Sequence, residues 1–168
     1  MEKISTADKT AFTADDRRFM QMAIDLSVEN VANGGGPFGA IVVKDGEVIA
    51  TGVNRVTANN DPTAHAEVQA IRAACAKTGN FELRGCVLYT SCEPCPMCLG
   101  AIYWSRVDRV VYAGTQNDAA DAGFDDSFIY KEIALPMQSR SIPFKWDSDL
   151  KRLEPFTEWK LKTDKIEY

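Results

Sequence analysis

The sequence predicts an α/β sandwich, a single domain in which helices cover the faces of one β-sheet. Helical and extended segments alternate along the chain in the order α-β-β-α-β-α-β-α, and such alternation is typical of α/β layering. The chain has 168 residues, 45% of them hydrophobic, which is enough to bury a substantial core. We expect residues 15–168 to form this domain and the polar residues 1–14 to form a flexible N-terminal arm.

The N-terminal part of the chain predicts one helix followed by a hairpin of two strands. Thr13 and Asp16 stand at the spacing of a capping box, and GGGPFG ends the helix. Residues 38–43 and 47–53 read as apolar strands, and Lys44-Asp45-Gly46 between them is a hairpin signal. The helix covers residues 15–31, whose apolar side chains recur at helical spacing: Phe19, Met22, Ala23 and Leu26.

The rest of the chain predicts further helices and strands in alternation. Residues 64–76 are rich in helix formers, and Asp61-Pro62-Thr63 precedes them. Proline is acceptable at a helix start, and Asp61 or Thr63 could cap free backbone N–H groups there. Strands are expected at 86–90 and 109–114, and helices at 96–104, 127–133 and 153–162.

One histidine and two cysteines indicate a zinc site. His65 is the only histidine, and it is followed by Glu67 and, about thirty residues later, by Cys95 and Cys98 in the run PCPMC. Imidazole and thiolates are ligands that zinc prefers, and three protein ligands leave the fourth position open for water. A water bound there loses its proton near neutral pH, and Glu67 can accept and redeliver that proton. The combination HxE with PCxxC is the signature of zinc-dependent nucleobase deaminases.

Each part of this pattern also has another interpretation. A CxxC can be a redox pair or half of a structural four-cysteine site, and a lone histidine is commonly a hydrogen-bonded core or surface residue. The three remaining cysteines, Cys75, Cys86 and Cys92, form no CxxC among themselves, which argues against a four-cysteine site. A ligand set of Cys92, Cys95 and Cys98 is conceivable, but it would leave His65 and Glu67 without a role.

Both halves of the motif fall at predicted helix starts. His65 and Glu67 lie in the first turn of one helix, and Cys95 and Cys98 open another after the SCEP turn. The positive end of a helix dipole favours a carboxylate and a metal-bound hydroxide. We therefore expect two helix N-termini to face one metal ion.

Charge and cysteine content narrow the class of substrate. The formal net charge is −5, from 19 Lys and Arg against 24 Asp and Glu, and no basic stripe follows a predicted helix. This predicts a poor nucleic-acid surface and favours a small base or nucleoside over a folded RNA. No apolar run has the length of a membrane span, and an odd number of cysteines, five, fits a reducing cytoplasm better than a disulfide framework.

Three longer segments resemble the bacterial guanine deaminases of the cytidine deaminase superfamily: NDPTAHAEVQAIR, YTSCEPCPMCLGAIYWSR and AGFDDSFIYKEI. The resemblance spans nearly the whole chain, and FDDSFIYKEI is its most selective part, because the metal motif alone does not separate guanine, cytosine and tRNA adenosine deaminases. It implies a three-layer α/β/α sandwich around a mixed central sheet. It also implies one zinc ion per subunit and a homodimer whose exchanged C-terminal segments close the partner's pocket.

The resemblance assigns roles to individual residues. His65, Cys95 and Cys98 would hold zinc, with Glu67 as the catalytic proton shuttle. Asp126 would meet the exocyclic amine or a ring nitrogen and assist catalysis. The remaining substrate contacts would come from Asn54 and the Ala66 backbone N–H at the polar edge of the base, from Phe38 and Trp104 at its faces, and from Tyr168 of either subunit as a lid.

Structural roles are the alternative for most of the substrate-binding residues. Phe38 and Trp104 lie beside apolar residues and could be part of the core. Asn54 could satisfy a turn, and Asp125 or Asp126 could cap the helix that follows.

The implied reaction is the hydrolytic deamination of guanine to xanthine and ammonia. Deamination of guanosine, cytosine, another aminated ring or adenosine in tRNA would need only a different pocket, although the acidic composition counts against tRNA. A zinc-stabilised binding module is an alternative from another class. It would collapse on metal removal and release no ammonia, but a structural zinc site has no use for Glu67 at that spacing.

Overall fold

The computed structural model describes residues 12–148 and 150–168. They group into two compact units, one ending at Tyr130 and one spanning Lys131–Tyr168. The single domain over residues 15–168 stays a prediction. Of the predicted arm, residues 1–11 lie outside the described part of the chain, whereas Thr13 and Ala14 form the cap and the first residue of a helix.

A mixed four-stranded sheet forms the centre of the first unit. Its strands are β1 (Gly39–Lys44), β2 (Glu47–Val53), β3 (Cys86–Cys92) and β4 (Arg109–Gly114), in the order β2-β1-β3-β4. β1 pairs antiparallel with β2 and β3, and β3 pairs parallel with β4. The predicted strands are confirmed, and the mixed sheet agrees with the resemblance.

The helices lie between and after the strands. They are α1 (Ala14–Ala32), α2 (Val56–Asn59), α3 (Ala66–Thr78), α4 (Pro96–Ser105), α5 (Gln116–Asp121), α6 (Ser127–Ala134) and α7 (Glu154–Leu161), with a short 3₁₀ turn at Met137–Ser139. The sequence analysis missed α2, α5 and the 3₁₀ turn. α5 did carry a signal, because Thr115 and Asp118 form a capping box. In the part of the chain that the structure describes, no helix is long and apolar enough to cross a membrane.

The sheet has a core on each face, as the period-two alternation of a buried strand requires. Ile41 and Val43 of β1 pack with Phe19 and Ala23 of α1. Ala40 and Val42 point to the opposite face and pack with a cluster from α3 and α4: Ala66, Ala70, Ile71, Ala74 and Ile102. Helices therefore cover both faces, and the predicted three-layer α/β/α sandwich is confirmed.

Two glycines bring the helices close to the sheet. A Cβ at Gly39 would lie 2.5 Å from the carbonyl oxygen of Ala23 in α1. A Cβ at Gly52 would overlap the backbone of Ala66 and Ala70 in α3. The start of α3, which carries His65 and Glu67, can therefore lie directly against β2 only because residue 52 has no side chain.

A buried carboxylate ties α1 to the sheet. Asp16 is fully buried and caps its own helix through the Thr13 backbone N–H at 2.8 Å. It also accepts hydrogen bonds from the Tyr89 hydroxyl at 2.7 Å and from Arg109 at 2.6 and 3.1 Å. The Arg109 guanidinium, above all, holds the pKa of Asp16 well below its usual range, and burial with the neighbouring carboxylate raises the pKa of Tyr89. The predicted capping role is confirmed, but the bonds to Tyr89 and Arg109 could not be read from the sequence.

Candidate active site

The side chains of His65, Cys95 and Cys98 converge at the starts of two helices. His65 is the N-cap residue of α3, Cys95 is the N-cap residue of α4, and Cys98 lies in the first turn of α4. Nδ1 of His65 lies 3.5 Å from the sulfur of each cysteine. The two cysteines lie close together because β3 ends at Cys92 and Pro96 starts α4 immediately after Cys95.

The start of α3 differs from the prediction. Asp61 and Thr63 do not cap the helix, since Asp61 Oδ1 accepts hydrogen bonds from the backbone N–H and hydroxyl of Thr63 at 2.8 and 2.7 Å. The chain turns there and α3 begins at Ala66, with no side-chain cap on its N-cap residue His65. The imidazole consequently points to the two thiols and not to the free N–H groups of its own helix.

The donor set of this cluster fits a tetrahedral zinc ion. The three ligand atoms lie within 4.8 Å of one another. With Zn–S bonds of about 2.3 Å and Zn–N bonds of about 2.0 Å, tetrahedral geometry separates S and N by about 3.5 Å, which matches the distances between His65 and the two cysteines. One imidazole and two thiols are also the ligand types that favour zinc over harder cations.

The ionisation of the cluster is uneven. The Cys98 thiol donates to Cys95 and, together with His65, lowers the pKa of Cys95 to about 4. The hydrogen bond to Cys95, together with burial, raises the pKa of Cys98. The hydrogen bond between His65 and Cys95 raises the pKa of His65. The site therefore already favours one thiolate, and a bound divalent cation would favour the second.

Glu67 lies beside the cluster without belonging to it. It is the second residue of α3 and only 6% exposed, and its Oε2 lies 3.4 Å from Sγ of Cys98. Burial raises the pKa of this carboxyl. A carboxyl whose pKa is raised by burial is better matched to acid and base catalysis than an exposed one.

The rival ligand Cys92 lies outside the cluster. Its sulfur lies 3.6 Å from the carbonyl oxygen of Thr115, and burial raises the pKa of the thiol to about 11. Among the described residues, only His65, Cys95 and Cys98 form a group of potential metal ligands.

A cavity of about 500 Å³ opens over His65, Glu67 and Cys95. Phe38 and Phe124 line one side, with their rings in an edge-to-face contact at 5.0 Å between centroids. Such a pair offers a flat ligand an apolar wall. Phe38 is thus at the cavity, as the resemblance implied, and Phe124 is a lining residue that the sequence analysis missed.

Two polar residues implied by the resemblance also line this cavity. Asn54 is 8% exposed, donates through its backbone N–H to the Phe38 carbonyl at 3.1 Å and accepts from the Val56 N–H at 3.3 Å. Its side chain therefore supports a turn and lines the cavity at once. Asp126 accepts a 2.6 Å hydrogen bond from Gln116, while Asp125, not Asp126, accepts from the N–H of Ser127 at the start of α6.

Three further implied residues stand apart from this lining. Ala66 is fully buried and supplies only its backbone, as the first residue of α3. Trp104 is 65% exposed on α4 and does not line the cavity of its own chain, so it is not a core residue either. Tyr168 belongs to the second unit and is exposed there. Contacts from Trp104 and Tyr168 to a base stay predictions.

The charge of the cavity is one-sided. Four carboxylates line it, from Glu67, Glu93, Asp125 and Asp126, and none of its lining residues within the described ranges is Lys or Arg. Such a wall accepts hydrogen bonds and disfavours an anionic group. The cavity therefore fits an uncharged ring with N–H donors.

Comparison with protein families gives one match over most of the chain. Residues 13–114 match the cytidine and deoxycytidylate deaminase zinc-binding region. The matched stretch includes His65, Glu67, Cys95 and Cys98, but it ends before Phe124 and Asp126.

Individual relatives match a larger share of the chain. The chain is 58% identical to guanine deaminase of Bacillus subtilis (strain 168) over 151 residues, which cover 89% of this chain and 97% of the relative. The X-ray structure of guanine deaminase from Bacillus subtilis superposes with a TM-score of 0.89 at 57% identity, over 90% of this chain and 98% of that one. A tRNA-specific adenosine deaminase of Buchnera aphidicola is 40% identical over 130 residues, 77% of this chain and 83% of the relative.

Proposed function

Since this chain belongs to the cytidine and deoxycytidylate deaminase zinc-binding family, we propose that it is an enzyme that hydrolyses guanine to xanthine and ammonia. The high identity to a guanine deaminase over nearly the whole chain supports this substrate. The observation that carries the proposal is the cluster of His65, Cys95 and Cys98, with the buried carboxyl of Glu67 beside it, at a cavity of about 500 Å³ that has room for a purine base.

We propose that one zinc ion per subunit is held by His65, Cys95 and Cys98. When bound there, zinc lowers the pKa of a coordinated water so that a nucleophile forms near neutral pH. The chain's own residues bind and orient the base and move the protons.

Glu67 is the proton shuttle in this mechanism. Its carboxylate takes a proton from the attacking water and delivers it to a ring nitrogen next to C2 of guanine, which makes C2 electrophilic. The hydroxide left by the water then adds to C2, and its remaining proton, carried by Glu67 or Asp126 to the amino group, turns that group into ammonia. The C2–N bond breaks, and xanthine remains.

The substrate contacts are proposed from the cavity wall. Phe38 packs against the face of the base, while Asn54 and the backbone N–H of Ala66 bind its polar edge. Asp126 accepts from the exocyclic amine or from a ring N–H. Asn54 and Asp126 are already held by hydrogen bonds to neighbouring residues, so little conformational freedom would be lost on binding.

The charge of the cavity favours a free base over a nucleotide. A 5′-phosphate would need a cationic partner, and the described lining contains carboxylates and no Lys or Arg. Purified enzyme should therefore release ammonia from guanine with stoichiometric formation of xanthine and should leave deoxycytidylate unchanged. Equal turnover of deoxycytidylate would contradict this assignment.

Deamination of adenosine in tRNA is the second candidate, favoured by the similarity to tRNA-specific adenosine deaminases. The net charge of −5 opposes it, because phosphate contacts supply much of the affinity of RNA-binding proteins. Tight, salt-dependent binding of a tRNA anticodon stem would support this candidate.

We propose further that the enzyme is a homodimer with exchanged C-terminal segments. Trp104 and Tyr168 are exposed. They can contact a bound base only if a second subunit or a rearrangement brings them to a cavity. Deletion of residues 153–168 should then reduce both dimerisation and activity. A truncated monomer with full activity would contradict the exchange.

We place the enzyme in the cytoplasm. All five cysteines are free thiols, and two of them are needed as metal ligands, which a reducing compartment preserves. Fractionation of cells that produce the protein tests this assignment.

A further inference from the structure

Gln116, the first residue of α5, joins two sides of the cavity. Its side-chain Nε2 donates to Asp126 Oδ1 at 2.6 Å, and its backbone N–H donates to Glu93 Oε2 at 3.0 Å. Glu93 lies in the turn between β3 and the proposed metal ligand Cys95. Asp126 lies just before α6. One residue thus connects the metal side of the cavity with the side that carries Asp126.

Chemistry fixes the orientation of the Gln116 amide. A carboxylate only accepts hydrogen bonds, so the NH₂ group and not the carbonyl of Gln116 has to face Asp126. Hydrogen bonds to a charged acceptor are among the stronger ones in proteins. The carboxylate keeps further lone pairs, so that Asp126 can bind Gln116 and a ligand N–H at the same time.

The other anchors of this segment hold its backbone but not the Asp126 carboxylate. The Tyr130 hydroxyl donates to the Pro94 carbonyl at 3.2 Å, and the Asp126 carbonyl accepts from the N–H of Ile129 at 2.9 Å. Within the described ranges, Gln116 is the only side chain that bonds the Asp126 carboxylate. Without it, the carboxylate is free to turn about its side-chain torsions.

We infer that Gln116 is a positioning residue that aims the Asp126 carboxylate at the base and thereby sets the preference for guanine. Guanine carries N–H donors at N1 and at the 2-amino group on one edge, whereas adenine has an unprotonated N1. A carboxylate held in one orientation accepts hydrogen bonds from the N–H donors of guanine and repels the lone pair at N1 of adenine. This inference rests on the proposed function and adds to it a residue outside both the zinc cluster and the base contacts.

A double-mutant cycle on the zinc-loaded enzyme tests the inference. Gln116→Met keeps the length of the side chain and removes the donor, and Asp126→Ala removes the acceptor. Asn117→Ala, at the next residue of the same helix but outside the cavity lining, is the matched control. The measurements are kcat/KM for guanine, the ratio of guanine to adenine turnover, zinc content and Tm.

We expect Gln116→Met to lower kcat/KM for guanine by roughly 10- to 100-fold, the loss expected when a group that contacts the substrate is misplaced, with zinc content unchanged and the protein fully folded at the assay temperature. The guanine preference should fall as well, and Asn117→Ala should behave as wild type. In the Asp126→Ala background, Gln116→Met should have less than about a twofold further effect, since it acts through Asp126.

Two results would overturn the inference. One is that the two single effects multiply in the double variant. The other is that partial unfolding at the assay temperature accounts for the lost activity, as a purely structural role of α5 would produce. A wild-type enzyme that leaves guanine unchanged is a different outcome, because it overturns the proposed function itself.

Discussion

Oε2 of Glu67 lies 3.4 Å from Sγ of Cys98, although the two residues belong to different helices. Each stands in the first turn of its helix, α3 for Glu67 and α4 for Cys98. The distance between the proposed proton shuttle and the proposed metal ligand is therefore set by how these two helices start against the sheet.

Replacement of Glu67 by glutamine separates metal binding from catalysis. The amide keeps the size of the side chain but cannot carry the proton, so we expect zinc content close to one ion per subunit and a loss of ammonia release of about 100-fold to 10,000-fold. Metal analysis and steady-state kinetics measure the two effects. An active Glu67→Gln enzyme would remove the shuttle role.

The two buried thiols Cys98 and Cys92 give a matched test of the ligand set. Cys98→Ser should lose zinc and activity, because serine is a poor zinc ligand. Cys92→Ser should keep both, since its sulfur faces the carbonyl of Thr115. Loss of zinc in Cys92→Ser as well as in Cys98→Ser would support the rival set of Cys92, Cys95 and Cys98 instead.

The aromatic wall predicts a specific effect of Phe124. Phe124→Ala should raise KM for guanine by about 2- to 10-fold, the range expected for one aromatic contact, with little change in kcat. Phe81→Ala is the control, because Phe81 has the same exposure, 45%, and lies outside the cavity. If the two variants have equal KM values, Phe124 does not contact the base.

The buried Asp16 predicts a pH-dependent stability. Arg109 and Tyr89 lower the pKa of this carboxyl from its ordinary value of 3.8. Its contribution is thus fully present above that value and is lost as the pH falls towards the folded-state pKa. Asp16→Asn should lower the free energy of unfolding by about 3–5 kcal/mol at pH 7, and by less at pH 3.

Denaturant unfolding of wild type and Asp16→Asn at pH 7 and pH 3 measures this difference in the free energy of unfolding. Acid affects the proposed metal ligands equally in the two proteins, so that effect cancels. A gap between wild type and Asp16→Asn that is the same at pH 7 and pH 3 would show that the ion pair does not stabilise the fold.

The strands and long helices could be predicted because their signals are local. Short apolar runs defined β1 to β4, and helical spacing defined α1 and α3 to within about two residues at most ends. The Asp45-Gly46 turn has positive φ at both residues, 50° and 79°, as a two-residue hairpin of this sequence requires. The short α2 has no side-chain cap and no buried residue, so it left no pattern in the sequence.

The cluster of His65, Cys95 and Cys98 was predictable because its signals are also local: His65 and the CxxC pair each lie in a short motif. The rest of the cavity was not, because it depends on contacts between distant segments. Gln116 meets Asp126 across ten residues, and Phe124, which follows α5, meets Phe38, which precedes β1. The capping box at Thr115 was the one local sign that a helix, with Gln116 at its start, would stand there.

The deaminase activity and its substrate are tested together by the kcat/KM for ammonia release, measured with the zinc-loaded protein on guanine, guanosine, adenine, cytosine, cytidine and an adenosine-containing tRNA hairpin. The cavity, with its accepting carboxylates and the Phe38–Phe124 wall, predicts that guanine is turned over far faster than the other five. Preferential turnover of the tRNA hairpin or of a pyrimidine would contradict the assignment of substrate. Absence of ammonia from every substrate, with zinc fully bound, would contradict the assignment as a deaminase.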